Sequence, residues 1–491
     1  MSVTTAPQAR LRGRSPVILF SVVAAIGGFL FGFDTAIING AVDPIEESFH
    51  LTSVGIGVVV SITLFGAAVG AFSTGWIADR IGRPRVMLIA AIVFAVSAVG
   101  CGLSTGLWDL SLWRLLIGVS VGAVTVIGPL YISEIAPAHI RGRLSSLQQM
   151  AIVLGIFAAL LSDASIAAAL AGADALRFLG LPAWRWMFIA GVVPAVIYGF
   201  ASFLVPESPR YLVARGRDAA AQRVLQRLEN ESADASATKV REIRATLDST
   251  TRPRFSDLLS PRTGFLPIVW VGIALAALQS LVGIDVIFYY STSLWQSVGF
   301  SESASFGLSV FSSVVNVIAT VVAILLIDRV GRRRLLLIGS AGMFVSLVVV
   351  AVGFSTATTV DGALVLGGTW GVLTLIGANV FVVAFAISWG PVVWVLLGEM
   401  FPNRIRGIAL SLAATANWTC EVILNLTFPT LRDISLPGSY AIYAAMALIS
   451  WFVVYFGVRE TRDRELEDMT ASVSASAVRS RRIVKRRPAA R

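Results

Sequence analysis

Cysteine, histidine and charged side chains are all scarce in this sequence. Its 491 residues include two cysteines, Cys101 and Cys420, two histidines, His50 and His139, and only 14% charged residues. Two cysteines inside apolar segments form neither a disulfide framework nor a zinc site, and two separate histidines supply no metal cluster and no histidine-based triad. The sequence therefore predicts no metal, no cofactor and no enzyme active site.

Hydrophobic residues, by contrast, make up 56% of the chain, more than a water-soluble domain would bury. They recur in stretches of about twenty residues, long enough to cross a hydrocarbon core of roughly 30 Å as helices. The first stretch is too long for a signal peptide and contains an acid, so we interpret it as a span. The predicted spans are 17–40, 54–78, 86–103, 107–131, 145–162, 186–205, 265–290, 303–327, 335–354, 368–396, 408–428 and 440–457.

Basic residues fall on alternate loops between these spans, for example at Arg10, Arg83, Arg141 and Arg332. Because basic loops stay in the cytoplasm, this pattern predicts a multi-pass protein of the cell membrane with both termini cytoplasmic. The net charge of +10 then reflects topology and attraction to a lipid bilayer. We expect no nucleic-acid partner.

The two halves of the chain repeat each other. The run DRIGR at Asp79–Arg83 returns as DRVGR at Asp328–Arg332, and EIAPAHIRGRL from Glu134 returns as EMFPNRIRGIA from Glu399. Parallel six-span repeats with a substrate site between them are a transporter architecture. The predicted divisions are an N-terminus 1–16, a six-helix bundle 17–205, a cytoplasmic helical linker 206–262, a second six-helix bundle 263–458 and a basic cytoplasmic tail 459–491.

Two charges inside the spans need an explanation. Asp34 lies in the first span and Arg114 in the fourth, at a similar predicted depth, so they are candidates for an ion pair. An unpaired charge in a span is costly, and intramembrane charges usually serve function. Rearrangement of the pair in a cavity that wets and closes could load and release a proton. The alternative is a static salt bridge between helices.

Loop arginines also occur beside acids at the inner ends of helices. Such groups could form salt-bridge latches that exist only while the inner side is closed, and orientation by positive charge alone is the alternative. The predicted cytoplasmic gate comprises Asp79, Arg80, Arg83, Glu134, Arg141, Glu207, Arg210, Asp328, Arg329, Arg332, Glu399, Arg406 and Glu460.

Amides and tryptophans are scattered through otherwise apolar spans. A sugar needs many donors and acceptors around its hydroxyl groups and a flat apolar surface under its C–H face. Hydrogen bonding between helices is the competing explanation. The candidates for lining a sugar cavity are Gln149, Gln279, Asn316, Trp394, Asn417 and Trp418.

These features together resemble the sugar porter family of the major facilitator superfamily, which includes bacterial sugar–proton symporters and facilitative glucose transporters. The resemblance covers all twelve spans. It implies an all-α membrane protein of the major facilitator fold, with 12 transmembrane helices in two six-helix bundles and a cytoplasmic helical linker domain. Its motifs are FDTAIING from Phe33, DRIGR, YISEIAPAHIRGR from Tyr131, PESPR from Pro206, part of VGIDVIFYYSTSLW from Val282, DRVGR and WGPVVWVLLGEMFPNRIRG from Trp389.

The resemblance implies that the six amide and tryptophan positions contact sugar and that Asp34 and Arg114 match the symporters' proton-coupling pair.

The sequence departs from the family's pattern in span seven, at Glu421 and in the closing motif. Ser280 and Asp285 replace a glutamine and an asparagine of the family, and Glu421 also replaces an asparagine; we add these three to the substrate-binding set. The two acids could change the ligand or the proton stoichiometry, or they could face protein or water without consequence. The closing run RETRDRELED begins with Arg459 where the family prefers proline.

The leading hypothesis is proton-coupled symport of a monosaccharide, a glucose-like hexose or a pentose, by alternating access in a monomer. A sugar uniporter, a polyol symporter for inositol and a non-transporting sugar sensor are the alternatives. A drug-efflux transporter would share the fold, but the polar residues suit a ligand rich in hydroxyl groups.

Overall fold

The computed structural model describes residues 16–170, 176–178, 180–229, 232–249, 255–260, 264–360, 363–366, 368–402 and 405–460. Helices dominate this part of the chain. The N-terminal half contains α1 Pro16–Ile37, α2 Val42–Ser48, α3 Ser53–Ile81, α4 Arg83–Leu103, α5 Leu107–Ile135, α6 Ala138–Leu170, α7 Ala183–Ala190 and α8 Val192–Ser202, with a 3-10 turn at Asn39–Ala41.

Three shorter helices occupy the predicted linker: α9 Pro209–Ala214, α10 Asp218–Glu229 and α11 Ala233–Ser249, followed by a 3-10 turn at Phe255–Leu258. We call the side of the molecule that carries them the inner side and the opposite side the outer side. The C-terminal half contains α12 Pro267–Leu281, α13 Ile284–Ser297, α14 Glu302–Val330, α15 Arg332–Ser355, α16 Gly368–Ile387, α17 Trp389–Met400 and α18 Arg406–Gly457.

The strands form three antiparallel pairs that the sequence did not predict. Each pair closes a connection between helices and is too short to add a layer to the fold. They are β1 Leu176–Phe178 with β2 Leu181–Pro182, β3 Leu259–Ser260 with β4 Gly264–Phe265, and β5 Thr358–Val360 with β6 Ala363–Val365, the last with Thr358 opposite Val365.

Among the described residues, eleven helical segments are long and apolar enough to cross a membrane. The last, α18, has 52 residues, too many for one crossing of the hydrocarbon core, and consists of two helices that meet at a kink. Its backbone leaves the helical region at Ser435, where φ is −165° and ψ is 103°. The two arms on either side of Ser435 contain the predicted spans 408–428 and 440–457.

Three of the predicted spans are each made of two helices with a break between them. The span 265–290 breaks at Gly283, between α12 and α13, where φ is +86°, a conformation that a side chain disfavours. The span 368–396 breaks at Ser388, between α16 and α17, and 186–205 breaks at Gly191, between α7 and α8. Apolar periodicity continues across each break, which is why hydropathy did not detect it.

Glycines allow the closest helix contacts in the N-terminal half. A Cβ atom on Gly32 of α1 would lie 1.9 Å from the carbonyl oxygen of Ile152 on α6. Reciprocally, a Cβ atom on Gly155 of α6 would lie 2.2 Å from the carbonyl oxygen of Phe29 on α1. Small residues that bring backbones together are typical of membrane helix pairs. This contact fixes the position of α1, which carries Asp34.

Large apolar side chains cover the outward faces of the bundle. Phe72 is 92% exposed, and Phe200 and Phe456 are also mostly exposed. A water-soluble surface would not carry so many apolar side chains, whereas a lipid-facing surface requires them. The chain is a multi-pass membrane protein.

We predict that Gly155→Leu separates α1 from α6 and lowers the free energy of unfolding by about 1–3 kcal/mol or more. The added side chain would clash with the backbone of α1, which has no space to move aside. Thermal unfolding of the detergent-purified protein measures the effect. Gly75→Leu on α3 is the matched control, since a Cβ atom there meets nothing within 4 Å. Equal melting temperatures for the two variants would contradict the packing argument.

Candidate functional site

A buried ion pair joins α1 to α5. Nη1 of Arg114 lies 2.9 Å from Oδ1 of Asp34, and the two residues are 0% and 2% exposed. The Nε and Nη2 atoms of Arg114 have no hydrogen-bond partner. The guanidinium also lies over the Phe188 ring, 5.7 Å from its centroid. The pair is therefore shielded from water, and the arginine keeps unused donors beside the carboxylate.

Hydrogen bonds at the outer ends of the helices join the two halves. Nδ2 of Asn39 donates to the Phe288 carbonyl oxygen at 2.9 Å and to Oγ of Ser291 at 2.8 Å. Oδ1 of Asn39 accepts from the backbone N–H of Thr292 at 3.1 Å and from its hydroxyl group. One side chain of the N-terminal half thus makes four hydrogen bonds to α13, and the outer side is closed at this point.

A second set of polar side chains links α12 to α17 and α18. Nε2 of Gln279 donates to the Trp389 carbonyl oxygen at 2.9 Å, while its Oε1 is buried without a partner. Nδ2 of Asn417 donates to Oγ of Ser280, and that hydroxyl group donates to Oε1 of Glu421 at 3.4 Å. The structure therefore brings four predicted substrate residues into one region, with one amide oxygen unused.

The other predicted substrate residues lie outside this hydrogen-bonded set. Trp418 is 8% exposed and packs against Phe31 of α1, with ring centroids 5.8 Å apart, so it touches the helix of Asp34. Gln149 on α6 is half-buried, Asn316 on α14 is buried, and Trp394 on α17 is 37% exposed.

The two unexpected acids face each other across α13 and α18. Asp285 and Glu421 lie close enough for their charges to repel, and Oδ2 of Asp285 is buried without a hydrogen-bond partner. Tyr289 lies near both acids and also near Asp34. Neither acid forms a salt bridge within the part of the chain that the structure describes. These are the two positions where the resemblance to the family implies amides.

Arg83 organises the inner ends of the N-terminal half. Its guanidinium donates to both carboxylate oxygens of Glu134, at 2.9 and 3.0 Å, and to Asp79 at 3.0 Å. Oε1 of Glu207 accepts from the backbone N–H groups of Arg83 and Ser208 at 3.0 Å. Burial raises the pKa of the Glu207 carboxyl group, and those two hydrogen bonds act in the opposite direction.

The same arrangement recurs in the C-terminal half around Arg332. Its Nη2 lies 2.9 Å from Oε1 of Glu399, and its backbone N–H donates to Oε1 of Glu460 at 2.9 Å. Glu460 also accepts from the backbone N–H of Arg333 at 3.2 Å. The altered closing motif therefore still places an acid where Glu207 lies in the first half. These hydrogen bonds lie within each half and brace its helix ends.

Other predicted gate residues have different partners. Arg80 lies over the Trp76 ring, 3.5 Å from its centroid, and Arg406 donates to the Phe401 carbonyl oxygen at 3.2 Å. Arg210 is exposed, and so is Arg329 at the inner end of α14. The side chains of Arg141 and Asp328 lie outside the described residues.

Sequence reasoning missed two polar residues. Asn39 is the second-to-last residue of the motif FDTAIING, and its position at the end of an apolar span was the available signal. Asp163 on α6 is 0% exposed, and a carboxylate near the end of a span was likewise visible in the sequence.

The match to known proteins extends along nearly the whole chain. A family model described as "Sugar (and other) transporter" matches residues 20–472. The chain belongs to this sugar transporter family. The glucose transport protein of Synechocystis sp. is 49% identical to this chain, and the alignment covers 96% of this chain and 100% of that protein. The D-xylose-proton symporter of Escherichia coli K12 is 32% identical, over 93% of this chain and 96% of its own.

Solved structures agree with this family membership. The xylose transporter of Escherichia coli in an inward-open conformation superposes with a TM-score of 0.78, at 30% identity, over 93% of this chain and 99% of that one. The same transporter, described as a major facilitator superfamily proton:xylose symporter bound to 6-bromo-6-deoxy-D-glucose, gives a TM-score of 0.75 at 31% identity, over 93% and 98% of the two chains. The predicted all-α major facilitator fold is confirmed.

We predict that Arg83→Gln lowers the free energy of unfolding by about 3–5 kcal/mol, because it leaves Glu134 buried without its cation. Thermal unfolding in detergent measures the change. Arg85→Gln is the matched control, since Arg85 is exposed two residues away. Similar melting temperatures for Arg83→Gln and Arg85→Gln would show that the buried pair contributes little.

Proposed function

We propose that this chain carries a monosaccharide across the cell membrane together with a proton, by alternating access. The observation that carries the proposal is the buried Asp34–Arg114 pair at 2.9 Å, in a chain whose relatives include a glucose transport protein and a D-xylose-proton symporter. A glucose-like hexose or a pentose is the substrate that these relatives favour. The coupling ion is the proton, and the protein is a transporter and not an enzyme.

The ion pair has the properties that proton coupling needs. A charged carboxylate within a span is costly without a partner, so Asp34 is stable as an anion while Arg114 lies beside it. If the helices move and the arginine turns away, the carboxylate becomes stable only with a proton. The free donors on Arg114 give it alternative partners during such a movement. Exchange of the arginine for a proton thereby links protonation to conformation.

The polar region on α12, α17 and α18 supplies the chemistry for a sugar. Oε1 of Gln279 is an unused acceptor, and the Asn417–Ser280–Glu421 chain ends in a carboxylate that accepts hydrogen bonds from hydroxyl groups. Trp418 offers an apolar ring next to these groups. Pockets for hydroxyl-rich ligands combine a few placed polar groups with aromatic surface. The contact of Trp418 with Phe31 puts this region near the helix of Asp34.

The proposed orientation places both termini and the linker helices in the cytoplasm. Arginines concentrate at the inner helix ends, at Arg80, Arg83, Arg332 and Arg333, as the positive-inside rule requires of the cytoplasmic side. The proposed functional unit is a monomer, because each chain holds both halves of the transport path.

We predict that the purified protein in proteoliposomes accumulates one sugar from a panel of glucose, xylose, galactose, arabinose and inositol when an inward proton gradient is imposed. One proton per sugar allows about tenfold accumulation per unit of pH difference. Asp34→Asn should abolish gradient-driven accumulation and retain sugar exchange, because the neutral amide removes the proton site while leaving the pathway intact. Radiolabelled uptake and counterflow provide the two measurements.

Equal wild-type uptake with and without the gradient would leave a sugar uniporter. Accumulation of inositol alone would make the chain a polyol symporter. Sugar binding without any transport would favour a sensor.

We further predict that Glu421→Gln weakens the apparent sugar affinity by about 10- to 100-fold, as expected for the loss of a hydrogen bond to a charged group. The KM for uptake measures the change. Thr419→Val on the same helix is the control, since Thr419 is exposed and its hydroxyl group donates to the Thr415 carbonyl oxygen. An unchanged KM for Glu421→Gln would mean that this acid does not contact the sugar.

A further inference from the structure

Asp163 on α6 is a carboxylate that the proposed transport mechanism does not use. It is 0% exposed, and neither of its carboxylate oxygens makes a hydrogen bond of normal geometry. The backbone N–H of Gly40 is close enough to attract it weakly. A buried carboxylate is normally paired or hydrogen-bonded, so one with neither is stable here only as the neutral acid.

No described cation compensates Asp163. The charged side chains near the outer ends of the helices packed against α6 are Asp34 on α1, Arg114 and Asp109 on α5, Arg185 on α7 and Glu302 on α14. The strand β1 also packs against α6 and carries Arg177, whose side chain lies outside the described residues. Arg114 is paired with Asp34, and Arg185 donates to the carbonyl oxygens of Gly102 and Ser104. Among the described residues, none of these charges interacts appreciably with Asp163.

The cover over Asp163 is the 3-10 turn Asn39–Ala41, which also closes the outer side. Asn39 makes its four hydrogen bonds to α13. A Cβ atom on Gly40 would lie 2.7 Å from the Phe306 ring of α14 and 3.1 Å from Sδ of Met187 on α7. Residues of both halves therefore contact the turn, and its contacts with α13 and with Phe306 of α14 join the N-terminal half to the C-terminal half.

We propose that Asp163 is a second proton-binding site, which takes a proton from the outer solution each time the outer ends close. The inference rests on alternating access as proposed above. When the outer ends separate, the turn loses its contacts with α13 and α14, and water reaches the carboxylate. On closure the carboxylate accepts a proton from hydronium, giving the neutral carboxylic acid and water. Outer acidity then favours the closed outer side independently of Asp34.

The test measures the outer-side distance as a function of pH in the full-length, detergent-purified protein. Spin labels are attached at Ser48→Cys on α2 and Ser303→Cys on α14, both exposed at the outer side, with Cys101 and Cys420 changed to alanine. Pulsed electron paramagnetic resonance then gives the ratio of closed to open molecules. All proteins carry Asp34→Asn, which removes the contribution of the first proton site.

With Asp163 present, the closed-to-open ratio should fall by up to about tenfold per pH unit as the pH rises, as expected for uptake of one proton. Asp163→Asn, which mimics the neutral acid, should remain closed across the pH range. Asp109→Asn, another outer acid of the same half, should keep the dependence on pH. The readout requires no transported sugar, so it can succeed or fail independently of the proposed substrate.

A pH dependence that survives Asp163→Asn would overturn the proposal, as would a ratio that does not vary with pH while Asp163 is present. If Asp163→Asn does not fold, Asp163→Glu replaces it. The longer carboxyl side chain should keep the transition and move its midpoint, and an unchanged midpoint would assign the transition to another group.

Discussion

Lipid provides no water to solvate a charge or a backbone group, and this constraint governs the whole structure. Every helix satisfies its own backbone, so the spans are helical almost throughout. The few charges within the spans must find partners in the protein, and Arg114 meets Asp34 at 2.9 Å for that reason. The close approach of α1 and α6 at Gly32 and Gly155 keeps the helix of Asp34 in place for this contact.

The internal repeat extends from sequence to individual hydrogen bonds. Arg83 with Glu134 and Glu207 forms in one half what Arg332 with Glu399 and Glu460 forms in the other. In both places a glycine with a positive φ, Gly82 or Gly331, precedes the arginine and lets the chain turn between helices. Bracing at the helix ends favours movement of each bundle as a rigid body, which suits alternating access.

Hydropathy and the repeated motifs were sufficient to predict the membrane helices, because apolar length and basic loops follow directly from the bilayer. The Asp34–Arg114 contact was also foreseeable, since two opposite charges at one depth have few other partners. The breaks at Gly283, Ser388 and Gly191 were not, because the apolar stretches of the sequence continue through them. The isolation of Asp163 could not be predicted either, because it depends on how α6 meets the turn at Gly40.

The kink at Ser435 joins two functional regions of the C-terminal half. The first arm of α18 carries Asn417, Trp418 and Glu421, and the second arm packs against the break at Gly283 through Tyr443. The second arm ends at Gly457, three residues before Glu460 and its hydrogen bonds to Arg332. The two helices of α18, which meet at Ser435, therefore carry the proposed sugar contacts on one arm and lead to the inner brace of the C-terminal half on the other.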